Sequence, residues 1–319
     1  MNNQISSLGV IIVNYNGGDL LPRCIKQLLD QAPLPEKIIV VDNASEDDSM
    51  ALLPDHEALE VIQLDGNSGF AAANNLALTH LQDVDLVMTL NPDAFVQLGC
   101  IRALLDAGAR HADYDSFACR MMNSPAIFDG AGDSYHISGL VWRNLHGSTL
   151  SNEAMAEREV FSPCAGAAMY RRAALDEVGG FDENFFCYLE DVDLGYRLQL
   201  AGKRCMYIPD AVVDHIGSAI SDKYPGFAVY HGHRNLVWTL FKNTPLLLLL
   251  FMLPFHLIMT IAVFAVFVLR GQWRIYLLAK KDAIKGLPRV WRQRRDTQKT
   301  RCISIWRLLA LYDYSFFRQ

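Results

Sequence analysis

Three carboxylates within four residues form the densest cluster of candidate chemistry in the chain. Glu190, Asp191 and Asp193 fall at the start of a predicted helix whose apolar positions include Leu194 and Leu198. Such a cluster is costly to bury in a core, because each charge must be paired or hydrated. Facing a cleft, one of these carboxylates can act as a general base on a substrate hydroxyl. A solvated helix start is the alternative, since acids in a first turn favour the helix dipole.

Polar residues follow three apolar segments in the first hundred residues. The segments are predicted strands at 10–13, 38–41 and 86–90. Their ends carry Asn14, Asp42 and Asp93. Because ligands of parallel sheets bind beyond the carboxyl ends of the strands, these three residues mark a candidate ligand-binding edge.

Helical periodicity separates the predicted strands. Apolar residues recur at helical spacing through residues 20–29, and Ser45 with Asp48 resembles a capping box that opens a second helix. Fully apolar strands that alternate with helices are typical of a parallel sheet covered on both faces. The predicted fold class is therefore α/β.

These motifs occur in an order that resembles the family 2 glycosyltransferases of GT-A fold, most closely the rhamnosyltransferase-like members of bacterial surface polysaccharide biosynthesis. The motifs, within residues 8–245, are Val-Asn-Tyr-Asn at 13–16, Asp-Asn-Ala-Ser at 42–45, Asn-Ser-Gly-Phe at 67–70 with Asn74-Asn75, Asn-Pro-Asp at 91–93, Gly-Ala-Ala-Met at 166–169 with Arg171-Arg172, Glu-Asp-Val-Asp at 190–193, and His215. The resemblance implies a Rossmann-like, mostly parallel sheet flanked by helices. It also implies an inverting transfer of sugar from a nucleotide diphosphate, without a covalent enzyme intermediate.

The resemblance further implies catalytic and metal-binding roles. Asp191 is the expected base, with Glu190 and Asp193 orienting it or holding the helix start. Asp93 stands at the position of the family's Asp-x-Asp metal motif and His215 is a candidate second ligand, so Mg²⁺ or Mn²⁺ is the expected cofactor. The first acid of that motif is Asn91 here, which leaves one carboxylate fewer. The alternatives are an ordinary turn at 91–93 and a hydrogen-bonded structural histidine.

Substrate-binding residues are also implied by the resemblance. The nucleotide-sugar site is expected at Asn14, Tyr15, Asn16, Asp42, Asn67, Gly69, Asn75 and Asn91. The acceptor side is expected at Gly166, Ala167 and Arg171, with Trp142 and His146 as further candidates. The favoured donor is dTDP-rhamnose and the favoured acceptor is a lipid-linked saccharide, in O-antigen or other cell-surface polysaccharide synthesis. A UDP- or GDP-hexose donor stays open.

A long apolar segment near the C-terminus precedes a basic one. As a helix, residues 246–269 would be about 36 Å long, enough to cross a bilayer. Of the 29 Lys and Arg residues, 14 lie in residues 241–319, against three of the 35 acids. Basic flanks stay cytoplasmic and nucleotide sugars are cytoplasmic. We therefore expect a peripheral, re-entrant or single hydrophobic helix at the cytoplasmic face of the bacterial inner membrane, with its basic residues on anionic lipid. A core helix or an oligomer contact is the alternative, and a homo-oligomer stays open.

The expected domain organisation combines the resemblance with this charge division. The resemblance implies a GT-A glycosyltransferase domain at 1–240, with a nucleotide-sugar-binding half at 8–110 and an acceptor and catalytic half at 111–240. The apolar and basic composition marks residues 241–319 as the expected membrane-associating tail. Seven scattered cysteines without a Cys-x-x-Cys pair indicate reduced thiols. The first seven residues are polar, so no secretory signal is expected.

Other function classes fit the sequence less well. The basic segment near 280–290 lacks interleaved stacking aromatics, which argues against a nucleic-acid partner. A nicotinamide-dependent dehydrogenase would need Gly-x-Gly-x-x-Gly after the first strand, where this chain has Asn-Tyr-Asn-Gly-Gly. A non-catalytic membrane scaffold would explain the tail, but it would have no reason to retain the Glu-Asp-Val-Asp block.

Overall fold

The computed structural model describes residues 6–151, 153–217, 224 and 226–315, and its first half alternates strands and helices as predicted. The strands are β1 (Leu8–Asn14), β2 (Lys37–Asp42), β3 (Leu59–Gln63), β4 (Leu86–Leu90), β5 (Ala94–Val96), β6 (Ser116–Ser124), β7 (Ile127–Gly130), β8 (Asp133–Tyr135), β9 (Val141–Arg143), β10 (Arg158–Val160), β11 (Ala167–Arg171) and β12 (Cys205–His215). The α-helices are α1 (Leu20–Leu29), α2 (Phe70–Thr79), α3 (Cys100–Arg110), α4 (Arg172–Val178), α5 (Glu190–Leu200), α6 (Phe227–Asn243), α7 (Leu246–Leu269), α8 (Trp273–Lys299) and α9 (Ile305–Leu311).

One mixed sheet forms the centre of the protein. Its strand order is β10-β12-β6-β11-β4-β1-β2-β3, with β5 paired to β12 and β7 paired to β6. Strands β4, β1, β2 and β3 are parallel, whereas β11 is antiparallel to both β4 and β6. The predicted α/β architecture is confirmed, and its parallel part places the ends of β1, β2 and β4 at one edge.

Different helices bury the two faces of the central strands. Val10 and Ile12 of β1 pack with α1 and α3, whereas Ile11 and Val13 pack with α2, α4 and α5. Successive strand residues point to opposite faces, so a strand covered on both sides is apolar throughout. Full burial of such a side chain contributes about 1.5–3 kcal/mol. The central strands are therefore well packed and hold the loops at their ends in defined positions.

The capping box predicted at Ser45 does not open an α-helix, which corrects that expectation. A single 3₁₀ turn over Asp48–Met50 follows instead, and Asp47 caps it by accepting from Ser49 N at 3.1 Å. The Ser45 hydroxyl is already used, because it donates to Asp42 Oδ1 at 2.5 Å. The chain then enters β3, a strand that the sequence pattern did not predict.

The C-terminal helices pack against the part of the chain that precedes residue 240. The expected boundary at residue 240 falls inside α6. Trp238 of α6 donates from Nε1 to Ala283 O of α8 at 3.0 Å, and Arg294 of α8 donates to Phe241 O at 2.8 Å. A Cβ at Gly286 would lie 2.7 Å from the Trp238 ring, so this glycine allows the two helices to approach closely. Helices α6 and α8 therefore form one packed layer.

Candidate active site

A cavity of about 620 Å³ lies at the carboxyl ends of the central parallel strands. Of the residues expected from the sequence, it is lined by Tyr15, Asn67, Gly69, Asn91, Asp93, Gly166, Glu190, Asp191 and His215, together with Trp142 and His146. The expected base, the expected metal ligands and part of the expected donor site therefore share one cavity, although they come from distant parts of the chain.

Strand pairing brings Asp93 and His215 together across 122 positions of sequence. In the antiparallel pair of β5 and β12, Ala94 lies opposite His215. His215 Nε2 is consequently 3.4 Å from Asp93 Oδ1. Both side chains are almost fully buried, and Nε2 makes no hydrogen bond of good geometry within the part of the chain that the structure describes. The arrangement gives a carboxylate and an imidazole nitrogen that face each other.

Asp129 on β7 holds the other side of the His215 ring. Its Oδ2 lies 2.8 Å from His215 Nδ1 and 2.6 Å from Arg143 Nη1. Burial by itself favours the neutral carboxyl, but His215 and Arg143 lower the pKa of Asp129 to about 2. Burial also opposes the charged imidazole, yet the bond to Asp129 and the nearby carboxylate of Asp93 raise the pKa of His215 to about 9. An ionised Asp129 therefore fixes which ring nitrogen points toward Asp93.

Arg143 joins this group to a second buried carboxyl. Asp133 and Arg143 lie opposite each other in the ribbon of β8 and β9, with Asp133 Oδ1 3.9 Å from Arg143 Nε. Burial and the nearby charge of Asp191 raise the pKa of Asp133 to about 7, against the opposing effect of Arg143. The cavity wall beside Asp191 thus contains an acid that exchanges its proton near neutral pH.

The three acids of the opening motif have different environments. Asp191 accepts from Ala165 N at 3.1 Å and from its own neighbour Val192 N at 2.8 Å, which orients its carboxylate in the cavity wall. Glu190 is 5% exposed, and burial together with Asp191 raises its pKa well above its usual value. The environment of Glu190 therefore favours its neutral form, whereas the Asp191 side chain is held by two backbone amides.

Asp193 lies outside the cavity lining and belongs to a buried ion-pair network. Its Oδ2 accepts from Arg197 Nε at 2.8 Å and from Lys242 Nζ at 2.9 Å, and its Oδ1 accepts from Asn243 Nδ2 at 2.9 Å. The residue is fully buried. It fixes α5 to α6, and its side chain is not directed at the cavity.

The donor end of the cavity is formed by the loops after β1 and before α2. Tyr15 stacks on Tyr224 with 6.2 Å between ring centroids. Asn67 Oδ1 accepts from Gly69 N at 2.9 Å and so shapes the second loop. Gly69 has a φ of +85°, and a Cβ there would lie 2.5 Å from the Phe186 ring. Only glycine fits this position, because both the backbone angle and the space exclude a side chain.

Three expected donor residues lie behind the lining. Asn14 is fully buried, and its Nδ2 donates to Asp42 Oδ1 at 3.0 Å. Asp42 is also buried and accepts from Ser45. Asn16 Oδ1 accepts from Glu46 N at 2.8 Å. These side chains tie the loops after β1 and β2 together, because their polar atoms are turned toward each other. Asn43, the residue after Asp42, lines the cavity in place of Asp42.

Three further expected residues have structural contacts away from the cavity. Asn75 bridges to Phe181 through bonds of 2.8 Å to its carbonyl oxygen and from its amide. Ala167 is buried within β11. Arg171 donates to Gly108 O at 2.7 Å and Tyr114 O at 2.8 Å, which anchors the end of β11. Of the expected acceptor residues 166, 167 and 171, only Gly166 reaches the lining.

Sequence reasoning missed Asp129, Asp133 and Arg143. The signal that could have found them is the spacing Asp-Gly-Ala-Gly-Asp at 129–133, since glycines between two acids allow close backbone approach. A Cβ at Gly130 would lie 2.2 Å from the Arg143 side chain, so the glycine makes room for the guanidinium.

The ligand atoms around Asp93 suit a hard divalent cation that takes only a few of its ligands from the protein. No group of three or more His, Cys, Asp or Glu side chains among the described residues is arranged to hold a metal. What is present is the Asp93 carboxylate and the unbonded His215 Nε2, with Asp129 on the opposite ring nitrogen. A carboxylate behind a ligating histidine is the usual second partner in metal sites. These residues therefore fit a divalent cation.

Comparison with known proteins gives a family match and several relatives. A sequence profile described as "Glycosyl transferase family 2" matches residues 9–179, which ends before Asp191 and His215. The N-acetylglucosaminyl-diphospho-decaprenol L-rhamnosyltransferase of Mycobacterium tuberculosis is 30% identical over 252 residues, covering 72% of this chain and 82% of the relative. The O-antigen chain rhamnosyltransferase RfbN of Salmonella typhimurium is 25% identical over 220 residues, covering 65% of each protein.

Solved structures support the fold. The mannosyltransferase PcManGT of Pyrobaculum calidifontis, in complex with GDP-Man and Mn²⁺, superposes with a TM-score of 0.54 at 18% identity, covering 93% of this chain and 85% of that chain. At this identity the likeness is one of fold. It confirms the GT-A architecture, including the helices that follow the sheet.

Proposed function

Because the chain belongs to glycosyl transferase family 2 and is a glycosyltransferase, we propose that it transfers rhamnose from dTDP-rhamnose to a lipid-linked saccharide with inversion of the anomeric centre. The product would serve O-antigen or other cell-surface polysaccharide synthesis. The single observation that carries the mechanism is the shared cavity, in which Asp191 lies with Asp93 and His215. The choice of rhamnose is supported by the two rhamnosyltransferase relatives.

The proton-transfer step is assigned to Asp191. An acceptor hydroxyl beside this carboxylate gives it the proton while the hydroxyl oxygen attacks the anomeric carbon, and the bond from that carbon to the diphosphate oxygen breaks. Attack on the face opposite the leaving group inverts the centre. The amides of Ala165 and Val192 hold the carboxylate oxygens, which limits the orientations of the base. Burial and the charge of Asp191 raise the pKa of Glu190, which disfavours a second negative charge at this point.

The leaving diphosphate requires positive charge. A divalent cation, Mg²⁺ or Mn²⁺, supplies that charge when bound. Asp93 and His215 would hold it, with His215 releasing its Nε2 proton as the cation binds, and Asp129 on Nδ1 keeps Nε2 directed at the site. The Mn²⁺ complex of the archaeal mannosyltransferase supports a divalent ion. With Asn91 in place of an acid, the nucleotide phosphates are expected to supply ligands that the protein lacks.

A donor panel tests the proposal. Radiolabelled dTDP-rhamnose, UDP-glucose, UDP-N-acetylglucosamine and GDP-mannose are each incubated with the enzyme and lipid extract from the native membrane, and the product is identified by mass spectrometry. We expect turnover with dTDP-rhamnose. In Asp191→Asn we expect kcat to fall by about 10³-fold or more while dTDP binding is retained. Asp176→Asn, at an exposed acid, is the matched control. Substantial turnover by Asp191→Asn would remove that residue from the role of base.

Helix α7 is the element that would bring the enzyme to a lipid-linked acceptor in the membrane. Among the described residues this is the one helix long and apolar enough to cross a membrane. However, contacts with the protein recur every three or four residues from Leu248 onward, at Leu248, Met252, His256, Thr260, Phe264 and Phe267. Near the middle, His256 Nδ1 lies 3.0 Å from Ser138 O, and near the end the Phe267 ring packs on His233 at 4.9 Å. One face of α7 therefore packs against the rest of the protein.

The opposite face of α7 is apolar and exposed. Residues more than half exposed are Leu246, Leu247, Leu250, Phe251, Leu257, Ile258, Ile261 and Leu269. An apolar patch of this extent marks an interaction site. A helix attached over its full length cannot cross hydrocarbon without α8, whose charges oppose insertion. We propose that α7 lies in the plane of the cytoplasmic leaflet of the bacterial inner membrane, with the exposed basic residues of α8 on anionic lipid.

A further inference from the structure

The segment that leads into Asp191 has a backbone conformation that its side chains oppose. Phe186, Tyr188 and Leu189 have φ angles between +65° and +67°. Residues other than glycine rarely adopt this left-handed region, and strain of this kind concentrates at functional sites. Residues 186–191 form one wall of the cavity. The position of the Asp191 carboxylate therefore depends on what holds this segment in place.

A γ-turn forms the first part of the segment. Cys187 N donates to Phe185 O at 2.8 Å, and Phe186 between them has φ of +67° and ψ of −67°. This is the strained form of the γ-turn. Phe186 O also accepts from Ala71 N at 3.2 Å, next to the donor loop. The segment thus connects the donor end of the cavity to the base.

Asn235 of α6 binds the carbonyl groups of this segment. Its Nδ2 lies 3.0 Å from Phe185 O, 3.0 Å from Cys187 O and 2.6 Å from Tyr188 O. These carbonyls flank the residues with positive φ. Asn235 is fully buried, so water does not compete for the bonds.

The orientation of the Asn235 amide is fixed by its neighbour. Arg234 Nε donates to Asn235 Oδ1 at 2.9 Å, and Arg234 Nη2 donates to Phe185 O at 2.8 Å. A guanidinium only donates and a carbonyl only accepts, so Oδ1 must face Arg234 and Nδ2 must face the loop. The guanidinium is held over the Trp238 ring at 4.4 Å. The two residues form one rigid donor group.

We propose that Asn235, supported by Arg234, is a positioning residue for catalysis. It holds the backbone before α5 in the left-handed conformation that places Asp191 in the cavity wall. The inference rests on the proposed role of Asp191 as the base. No part of it requires Asn235 to touch a substrate.

Asn235→Asp tests the inference directly. The substitution preserves size but replaces the donor with an acceptor, so Cys187 O and Tyr188 O lose the Asn235 amide, whereas Phe185 O keeps Arg234 Nη2. We expect kcat with dTDP-rhamnose, or with the donor that turns over in the panel, to fall about 10- to 100-fold. The Kd for dTDP should change by less than about threefold, because the donor loop is untouched. Thr239→Val is the matched control, since Thr239 is equally buried one turn later on α6 and its hydroxyl makes no bond among the described residues.

A glycine in the strained segment separates positioning from general destabilisation. Leu189→Gly adopts the same positive φ without strain. If Asn235 holds this conformation, Asn235→Asp should lower kcat by a smaller factor in the Leu189→Gly background than in the parent enzyme. Equal factors in both backgrounds would contradict the inference.

Two further variants keep the outcomes distinct. If Asn235→Asp does not fold, Arg234→Gln is the deciding variant, because Arg234 is only partly buried and its loss removes one bond to the loop. We expect kcat of Arg234→Gln to fall several-fold. An unchanged kcat overturns the inference. A folded Asn235→Asp enzyme with kcat within about twofold of Thr239→Val also overturns it. An active Asp191→Asn enzyme overturns the assignment of the base, and with it the inference.

Discussion

At the scale of single residues, Asp129 decides how His215 is presented. Its bond to Nδ1 fixes the ring orientation in which Nε2 faces Asp93. Loss of such an outer carboxylate typically costs about 10- to 100-fold in metal affinity. We therefore predict that Asp129→Asn weakens Mn²⁺ binding by this factor, measured by calorimetric titration in the presence of dTDP. Asp214→Asn is the control, since Asp214 is adjacent in β12 but bonds to Gln97; equal affinities in the two variants would contradict the assignment.

Asp133 gives a prediction for stability against pH. Its pKa is raised from 3.8 to about 7 in the folded protein. Between these values the unfolded chain loses the proton and the folded protein keeps it, so the destabilising effect of Asp133 grows from about pH 4 and is complete above pH 7. Asp133→Asn should therefore gain stability over the parent by about 2–3 kcal/mol more at pH 8 than at pH 5.

The Asp133 prediction is measured by urea unfolding at the two pH values. Asp176→Asn, which removes an exposed acid, is the control and should show no comparable change. A constant difference between Asp133→Asn and the parent enzyme at both values would mean that Asp133 is ionised in the folded state throughout this range.

The sequence predicted the cavity position of the expected base and metal ligands better than that of the expected donor-binding residues. Asp191, Asp93 and His215 lie in motifs whose chemistry has few structural alternatives, and all three reach the cavity. Asn14 and Asp42 end their strands at the predicted edge, but their side chains bond to each other rather than to the cavity. Strand position predicts the edge at which a residue lies, whereas the direction of the side chain is decided by contacts with residues distant in sequence.

At the scale of elements, strands and helices with clear periodicity were predictable and their pairing was not. The strands at 10–13, 38–41 and 86–90 and the helix at 20–29 are found where the patterns place them. The pairing of β5 with β12 joins segments far apart in the chain, so it left no local signal, and β8 and β9 are strands of only three residues whose pattern is too short to predict their pairing. The first pair brings Asp93 close to His215, and the second places Asp133 opposite Arg143.

The attachment of α5 to α6 is a second element-scale feature. Lys242 of α6 is 4% exposed and binds both Asp182 and Asp193, at 2.6 and 2.9 Å. Removing one partner of a buried ion pair costs about 3–5 kcal/mol, because the remaining charge is left uncompensated. We predict this loss for Lys242→Met in urea unfolding, with the exposed Lys281→Met as control. A loss below about 1 kcal/mol would place Lys242 among ordinary surface pairs.

At the scale of the whole molecule, the C-terminal helices belong to the catalytic body. Helix α8 packs on α6, and α6 carries Asn235, which holds the segment before Asp191. Composition predicted the apolar and basic segments of the tail, because hydrophobicity and charge are local properties. It could not predict their packing on α6, since that depends on the close approach at Gly286. The helix proposed to face the membrane is therefore packed in the same layer of helices that is proposed to position Asp191.

The exposed face of α7 provides the last prediction. Ile258 and Ile261 are 63% and 70% exposed, so glutamates there should be tolerated by the fold. Each isoleucine that enters lipid contributes about 1.5–3 kcal/mol, so Ile258→Glu with Ile261→Glu should reduce co-flotation with anionic phospholipid vesicles at least about tenfold. Leu52→Glu with Leu98→Glu makes the same change at residues that are 50% and 82% exposed elsewhere, and it should leave flotation unchanged. Equal flotation of both double variants would contradict membrane binding by α7.

The in-plane orientation is tested by labelling the two ends of α7 in native membranes. Single cysteines at Leu246 and Arg270, both exposed, are introduced into a Cys302→Ser background, because Cys302 is the exposed native thiol. A helix in the plane of the cytoplasmic leaflet leaves both ends open to an impermeant maleimide from the cytoplasmic side alone. A crossing helix would expose one end to each side. Because His256 and Phe267 attach the middle and the end of α7 to the catalytic body, we expect both cysteines to react from the side on which the nucleotide sugar is bound.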